Sequence, residues 1–285
     1  MMVAAVAYNQ LTPQAKSRVD ALLLLNPDRD NWFDDIPVTA SDAQKKMMVF
    51  VMAATWPDRI KSDPDYQTDG THNGNVPPND PSASQNIGYN DRARHKYWHF
   101  KDVFFTQDST PLPLPQTPNA ETQITAFRAV LASTTASDDL KSYDLSWLLH
   151  LIGDVHQPLH CTARVGATQP DGDSGGNGVK LTSPANLHTF WDDVLGTGKK
   201  PSTAINATAS LPSASASAAN DLDVNHWIDE SFNAAKMKVY KTPIGAGAGP
   251  FTLTKTYKKE ARKLAEARVA LAGARLAKIL NDELK

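Results

Sequence analysis

One segment constrains the fold more than any other: Ser146-Trp-Leu-Leu-His150-Leu-Ile-Gly-Asp154-Val-His156-Gln-Pro158-Leu-His160. Leu145, Leu148, Leu149, Ile152 and Val155 share one face of a helix. His150 and Asp154, four residues apart, project together from the opposite face. That second face also carries Trp147 and Leu151, so the helix is apolar on both flanks and belongs in the interior. Burying an imidazole beside a carboxylate is costly unless something compensates, and a bound cation is the simplest compensation. Pro158 cannot continue a regular helix without a kink. His160, six residues after Asp154, is thereby taken off the helical repeat, where a kink would aim it at a neighbouring metal. A single histidine is more often a hydrogen-bonded core residue. Three histidines and an aspartate within eleven residues point instead to metal.

A second pair supports this reading. Asn186-Leu-His188-Thr-Phe-Trp191-Asp192 again sets His and Asp at i, i+4, as the other wall of a helical metal site. Mixed His and Asp donors without cysteine suit zinc in a catalytic setting. Two candidates lie upstream: Asp58, at a helix end in Thr55-Trp-Pro-Asp58-Arg-Ile-Lys61, and His99, in Tyr97-Trp-His99-Phe-Lys-Asp102. Each has an ordinary alternative, a cap for Asp58 and an aromatic core neighbourhood for His99. His72, His95, His156 and His226 show no such pattern and read as surface or supporting groups, with His156 placed to orient a ligand.

The rest of the chain predicts helices. Thr12 and Pro13 cap and start one that runs to about Leu25, and Ser41 and Asp42 precede the apolar run Met47–Trp56. Further helical patterns cover Glu121–Ala136, Tyr143–His156, Pro184–Leu195, Asp221–Val239 and Tyr257–Leu284. The Lys and Arg residues of the last read as a solvated face. Ser62–Asp91 and Gly166–Gly178 read as long polar loops, and Ser202–Asn220 as a low-complexity connection containing the sequon Asn206-Ala207-Thr208. No strand alternation persists and no repeat is visible. The expected fold is all-α, one domain over residues 1–285.

Composition limits the partners. With 29 basic and 31 acidic residues the net charge is −2, so any nucleic acid must be handled at a local site rather than by a global field. The one cysteine, Cys161, excludes an intramolecular disulfide and leaves the compartment open. No run of about 18 apolar residues predicts a membrane span. The opening MMVAAVAYNQ does not read as a signal peptide.

These motifs resemble those of the S1/P1 nucleases, zinc-dependent enzymes that cleave single-stranded DNA and RNA. The resemblance runs from Leu11-Thr-Pro to Arg275-Leu-Ala-Lys-Ile-Leu-Asn281 and centres on His150-x3-Asp154-x-His156-Gln-Pro-Leu-His160 and Asn186-Leu-His188-x2-Trp191-Asp192. It implies the mostly helical fold shared with bacterial zinc phospholipases C. It implies one zinc held by Asp58, His99, His150 and Asp154, and a second held by His160, His188 and Asp192. A third zinc in the family takes an N-terminal Trp, a His five residues later and the carboxylate that corresponds to Asp154. Neither that Trp nor that His is present before Met1-Met2-Val-Ala-Ala. The expectation is that residues of the mature protein precede this start, behind a cleaved signal peptide, and that the protein is a secreted or periplasmic monomer.

The implied reaction is hydrolysis of a phosphodiester to a 5′-phosphate and a 3′-hydroxyl, with the zinc ions neutralising the phosphate and lowering the pKa of the attacking water. Lys61 matches a position that stabilises charge on the phosphate. Asp58 and Asp154 count as catalytic through the metals. Phe100 and Asp102 match the base site, Phe100 by stacking and Asp102 by hydrogen bonding, with Asn177 in Gly175-Gly-Asn177 lining the same pocket. Activity on 3′-nucleotides is a further expectation. Two alternatives stay open: a phospholipase C-type phosphodiesterase, and a non-catalytic metal-binding relative that lacks the third zinc.

Overall fold

A computed structural model describes residues 1–196, 198 and 200–284. Among them are twelve α-helices and two four-residue strands, an all-helical architecture. At its centre lies the helix Asp138–Asp154, ten of whose residues are buried. The helices Ala120–Ala132, Pro13–Leu23, Trp56–Arg59 and Lys255–Glu283 pack around it. Trp147, fully buried, meets Trp56 and Trp98 edge to face at 6.0 and 5.0 Å, so aromatic rings fill much of this core.

The helix begins earlier than its apolar pattern suggests. The Ser137 hydroxyl caps it by accepting from the Leu140 amide, and Asp138 and Asp139 occupy the first turn, where acidic groups suit the helix dipole. It also ends earlier, at Asp154. Pro158 does not kink it but opens a separate 3-10 turn, Pro158–Cys161, which is what carries His160.

Other expectations need correction. Met2–Gln10 is a helix with Ala4, Ala5, Ala7 and Tyr8 buried. It crosses the terminal helix at Gly273, where a Cβ would come within 2.5 Å of Val6. The stretch read as a low-complexity connection contains the helices Pro201–Ala207 and Ala216–Asn220. The strands Val103–Thr106 and Thr162–Val165 pair in parallel and are too short to show a periodicity. The terminal helix is not merely a solvated basic face. Arg268 and Arg275 are buried, and both bond the Glu230 carboxylate, Arg275 through two nitrogens at 2.8 Å each. Arg268 also donates to the His156 carbonyl. This cluster ties the terminal helix to the segment that follows Asp154.

Apart from the main core, a smaller apolar cluster gathers Leu159, Leu187, Phe190, Trp191, Tyr240 and Tyr257. The helix Leu187–Asp192 rests on it, facing the end of the central helix.

Candidate metal centre

His150 and Asp154 sit one turn apart on the central helix, Nε2 to Oδ2 at 3.1 Å. His99 arrives from the 3-10 turn Lys96–His99, its Nδ1 3.0 Å from both His150 Nε2 and Asp154 Oδ2. Asp58, on the short helix Trp56–Arg59, brings Oδ1 to 3.6 Å from His150 Nε2 and 3.9 Å from His99 Nδ1. In the second group, Asp192 lies 3.3 Å from His188 Nε2 and 3.6 Å from His160 Nε2. Asp154 stands between the groups, its Oδ2 also 3.8 Å from His160 Nδ1.

These spacings fit a metal. Donors placed tetrahedrally about 2.0–2.1 Å from zinc are separated from each other by about 3.3 Å. Without a cation, one His99 Nδ1–H would have to be shared between His150 Nε2 and Asp154 Oδ2, both at 3.0 Å, whereas a metal accepts a lone pair from all three. The backbone orients the rings as metal-facing imidazoles are oriented: Nδ1 of His150 bonds the Ala54 carbonyl, Nδ1 of His160 the His99 carbonyl, and Nδ1 of His188 the Gly175 carbonyl, at 2.8, 2.9 and 2.8 Å. Each bond fixes a tautomer. For His150 and His188 it leaves Nε2 for the donor group, and His160 Nε2 faces Asp192. Gly175 has φ +60, and a Cβ there would meet the Leu159 carbonyl at 2.4 Å, so the loop needs glycine to bring the Gly175 carbonyl to His188. Gln157 donates to Asp192 at 2.9 Å.

The electrostatics without a cation are in conflict. Burial and nearby Lys61 lower His99 to about 3. Burial also disfavours charge on His160, but the Asp154 and Asp192 carboxylates raise it to about 9. Burial opposes ionisation of Asp154, yet His150 and His160 hold it well below the usual carboxylate range. Neighbouring imidazoles are thus driven in opposite directions around one carboxylate.

A cavity of about 700 Å³ opens beside both groups, lined by His99, His160 and His188 together with Lys61, Phe100, Asp102 and Asn177. Lys61 donates to Asp58 at 2.7 Å. Burial and the neighbouring Asp173 raise Asp102 to about 7, against an opposing effect of His160. Asn177 donates to the Ser174 carbonyl.

His156 does not orient a donor: its Nδ1 donates to the Ile152 carbonyl and its Nε2 accepts from Arg275 at 2.9 Å. Burial, with Arg268 and Arg275, holds it neutral. His72 and His226 are exposed, but His95 is fully buried. It stacks on Trp98 with ring centroids 3.6 Å apart and bonds Asp91 and Asp69 at 2.9 Å each. Asp91 stands four residues before it, the spacing of the two donor pairs with the order reversed, whereas Asp69 lies 26 residues away and leaves no local mark.

Helices that deliver His and Asp donors to two adjoining groups beside an open cavity define a helical fold with a paired candidate metal centre. The chain belongs to the S1/P1 nuclease family, whose sequence model matches residues 1–285. It is similar to Endonuclease 5 of Arabidopsis thaliana, 27% identical over 149 residues that make up 50% of this chain and 42% of that protein. Nuclease S1 of Aspergillus oryzae is 36% identical over 66 residues, 22% of this chain and 20% of that protein. Endonuclease 4 of Arabidopsis thaliana is 36% identical over 73 residues, 23% and 22% of the two chains. The matched regions span less than half the length of each of these relatives.

Proposed function

We propose that this chain is a zinc-dependent phosphodiesterase that hydrolyses single-stranded DNA and RNA to 5′-phosphorylated products and also acts on 3′-nucleotides. One observation carries the reading: two His/Asp donor groups lie on either side of the Asp154 carboxylate, and His99, His160 and His188 of these groups line the same cavity as Phe100 and Asp102. Asp58, His99, His150 and Asp154 would hold one zinc, and His160, His188 and Asp192 a second. Asp154 would also serve a third. Bound zinc would supply Lewis acidity toward the phosphate and a lowered pKa for water.

The chain's own groups do the rest. The Lys61 ammonium exchanges Asp58 for a phosphate oxygen and offsets the charge that develops there. Phe100 offers a face on which a base stacks. Asp102, raised to about 7, accepts from or donates to the base edge near neutral pH, and Asn177 adds a polar contact. A base on Phe100 has left its duplex, which favours single strands. Among the described residues no helix is long and apolar enough to cross a membrane. On the family membership, and not on that absence, we take the protein to be a secreted or periplasmic monomer.

The test incubates the purified chain with single-stranded DNA, RNA and phosphatidylcholine, before and after chelation and zinc return. Zinc-restored cleavage of the nucleic acids is expected. Two zinc ions per chain with no nucleic-acid cleavage would overturn the reading.

A further inference from the structure

Three lysines line the cavity beside the donor groups: Lys61, Lys96 and Lys101. Two of them are neutralised. Lys61 is paired with Asp58 and Lys101 with Glu121. Lys96 instead donates to the Asn73 carbonyl at 3.1 Å, and among the described residues no carboxylate lies within ion-pair distance of it. An ammonium has three donors, so this one keeps two and its full charge.

The side chain is also held in place. Its stem lies against the turn His72–Gly74, where a Cβ on Gly74 would approach Lys96 Cδ to 3.3 Å. That turn runs through left-handed backbone, with φ 50 at His72, 59 at Asn73 and 83 at Gly74. On the other side, the His95 amide is fixed by Asp69 at 2.9 Å and its ring by Asp91 and Trp98. Ordering a lysine on binding normally costs rotamer freedom, and here much of that ordering precedes the ligand. Lys96 and His99 are first and last in one 3-10 turn, in which side chains three apart eclipse. The ammonium therefore leaves the turn on the same side as the imidazole that faces the donor group.

We infer that Lys96 forms an anion subsite for the backbone phosphate that flanks the scissile one. The inference rests on the phosphodiesterase reading and adds to it a reason to prefer chains over isolated linkages. It assigns the cavity wall two positions: Lys61 beside the metal centre, and Lys96 one nucleotide away.

The experiment compares zinc-loaded wild type, Lys96→Gln and Lys96→Arg on the dinucleotide TpT, which has only the scissile phosphate, and on pTpT and TpTp, which add one phosphate at either end. The 3′ one is capped as its methyl ester so that it is not itself a 3′-nucleotide, and cleavage of the internucleotide linkage is the readout. Wild type is expected to favour one of the two-phosphate substrates about tenfold in kcat/KM, the size of one charge-assisted hydrogen bond. K96Q should lose that gain and leave TpT unchanged, while K96R keeps it. Separately, with the zinc-loaded proteins and a cleavage-resistant phosphorothioate oligothymidylate, the slope of log affinity against log salt should fall by about 0.7 in K96Q, the share of one single-strand phosphate contact. An equal loss on all three substrates, no wild-type gain, or an unchanged salt slope would overturn the subsite while leaving the phosphodiesterase intact. Wild type that cleaves single-stranded DNA but none of the three overturns the subsite alone, and wild type that cleaves neither overturns both.

Discussion

The Nδ1 of His99 lies 3.0 Å from Oδ2 of Asp154, across 55 residues of sequence. The same oxygen is 3.1 Å from His150 and 3.8 Å from His160, so one carboxylate faces both donor groups. Replacing an outer partner of a metal ligand typically costs about 10–100-fold in metal affinity or activity, and a direct, shared ligand should cost more. Asp154→Asn is therefore expected to lower zinc content and to reduce phosphodiesterase activity by more than about 100-fold. Metal analysis after equilibrium dialysis checks this. Full zinc content at unchanged affinity would remove Asp154 from the site.

Phe100 lines the cavity together with His99, His160 and His188. Base stacking contributes about 1–3 kcal/mol, so Phe100→Ala should raise KM for single-stranded DNA by about tenfold or more and leave zinc content as it was. Steady-state kinetics beside metal analysis separates these effects. An unchanged KM would mean that bases stack elsewhere.

The Glu230 carboxylate receives both Arg268 and Arg275, whose side chains are 11% and 0% exposed. Glu230→Ala leaves two desolvated guanidinium groups without their counter-charge. Breaking a buried pair in this way costs about 3–5 kcal/mol. Urea denaturation should show a loss of that order. A cost below about 1 kcal/mol would mean that water or Ser231 already satisfies the arginines.

The donor groups were largely legible because their spacing is local. His150 with Asp154, and His188 with Asp192, announce themselves through the i, i+4 repeat. The groups that aim them were not legible. The Ala54, His99 and Gly175 carbonyls carry no side-chain signature, and their position depends on chain segments that meet only in the folded state. For His95 the reason holds only in part: Asp69 comes from 26 residues away, but Asp91 at i−4 was a legible partner. Arg268 and Arg275 were misread because an Ala-, Lys- and Glu-rich helix looks solvated until its partner, the Glu230 helix, is known. The N-terminal helix has no side-chain cap; Ala4, Ala5, Ala7 and Tyr8 are buried, and Val3 and Val6 lie against Gly273 of the terminal helix. The long polar loops were visible from composition; Asn177 of the second was expected at the pocket, but the wall that His72, Asn75, Val76 and Pro77 of the first supply was not.

Asp144 gives a pH prediction away from the candidate site. It is fully buried on the central helix, and its two oxygens each accept from Asn86 Nδ2 at 2.9 Å. Burial raises its carboxyl to about 8, against the opposing bond from Asn86. An unfolded aspartate titrates near ~3.9. Below that value both states are protonated and Asp144 adds no pH dependence. Between the two values the folded state holds a proton that the unfolded state has released, so stability falls as pH rises through the window. Above about 8 the carboxylate is ionised in both states and the penalty is complete. Asparagine has nearly the shape of the neutral acid and does not titrate. Asp144→Asn should therefore flatten this part of the profile. Relative to wild type its Tm is expected to climb from pH 4 to pH 8, by at least the 2–4 °C that about 1 kcal/mol produces in a chain of this size. Other titrating groups are common to both proteins and cancel in the difference. A Tm offset that stays constant from pH 4 to pH 8 would mean that Asp144 ionises in the folded protein as readily as in the unfolded chain.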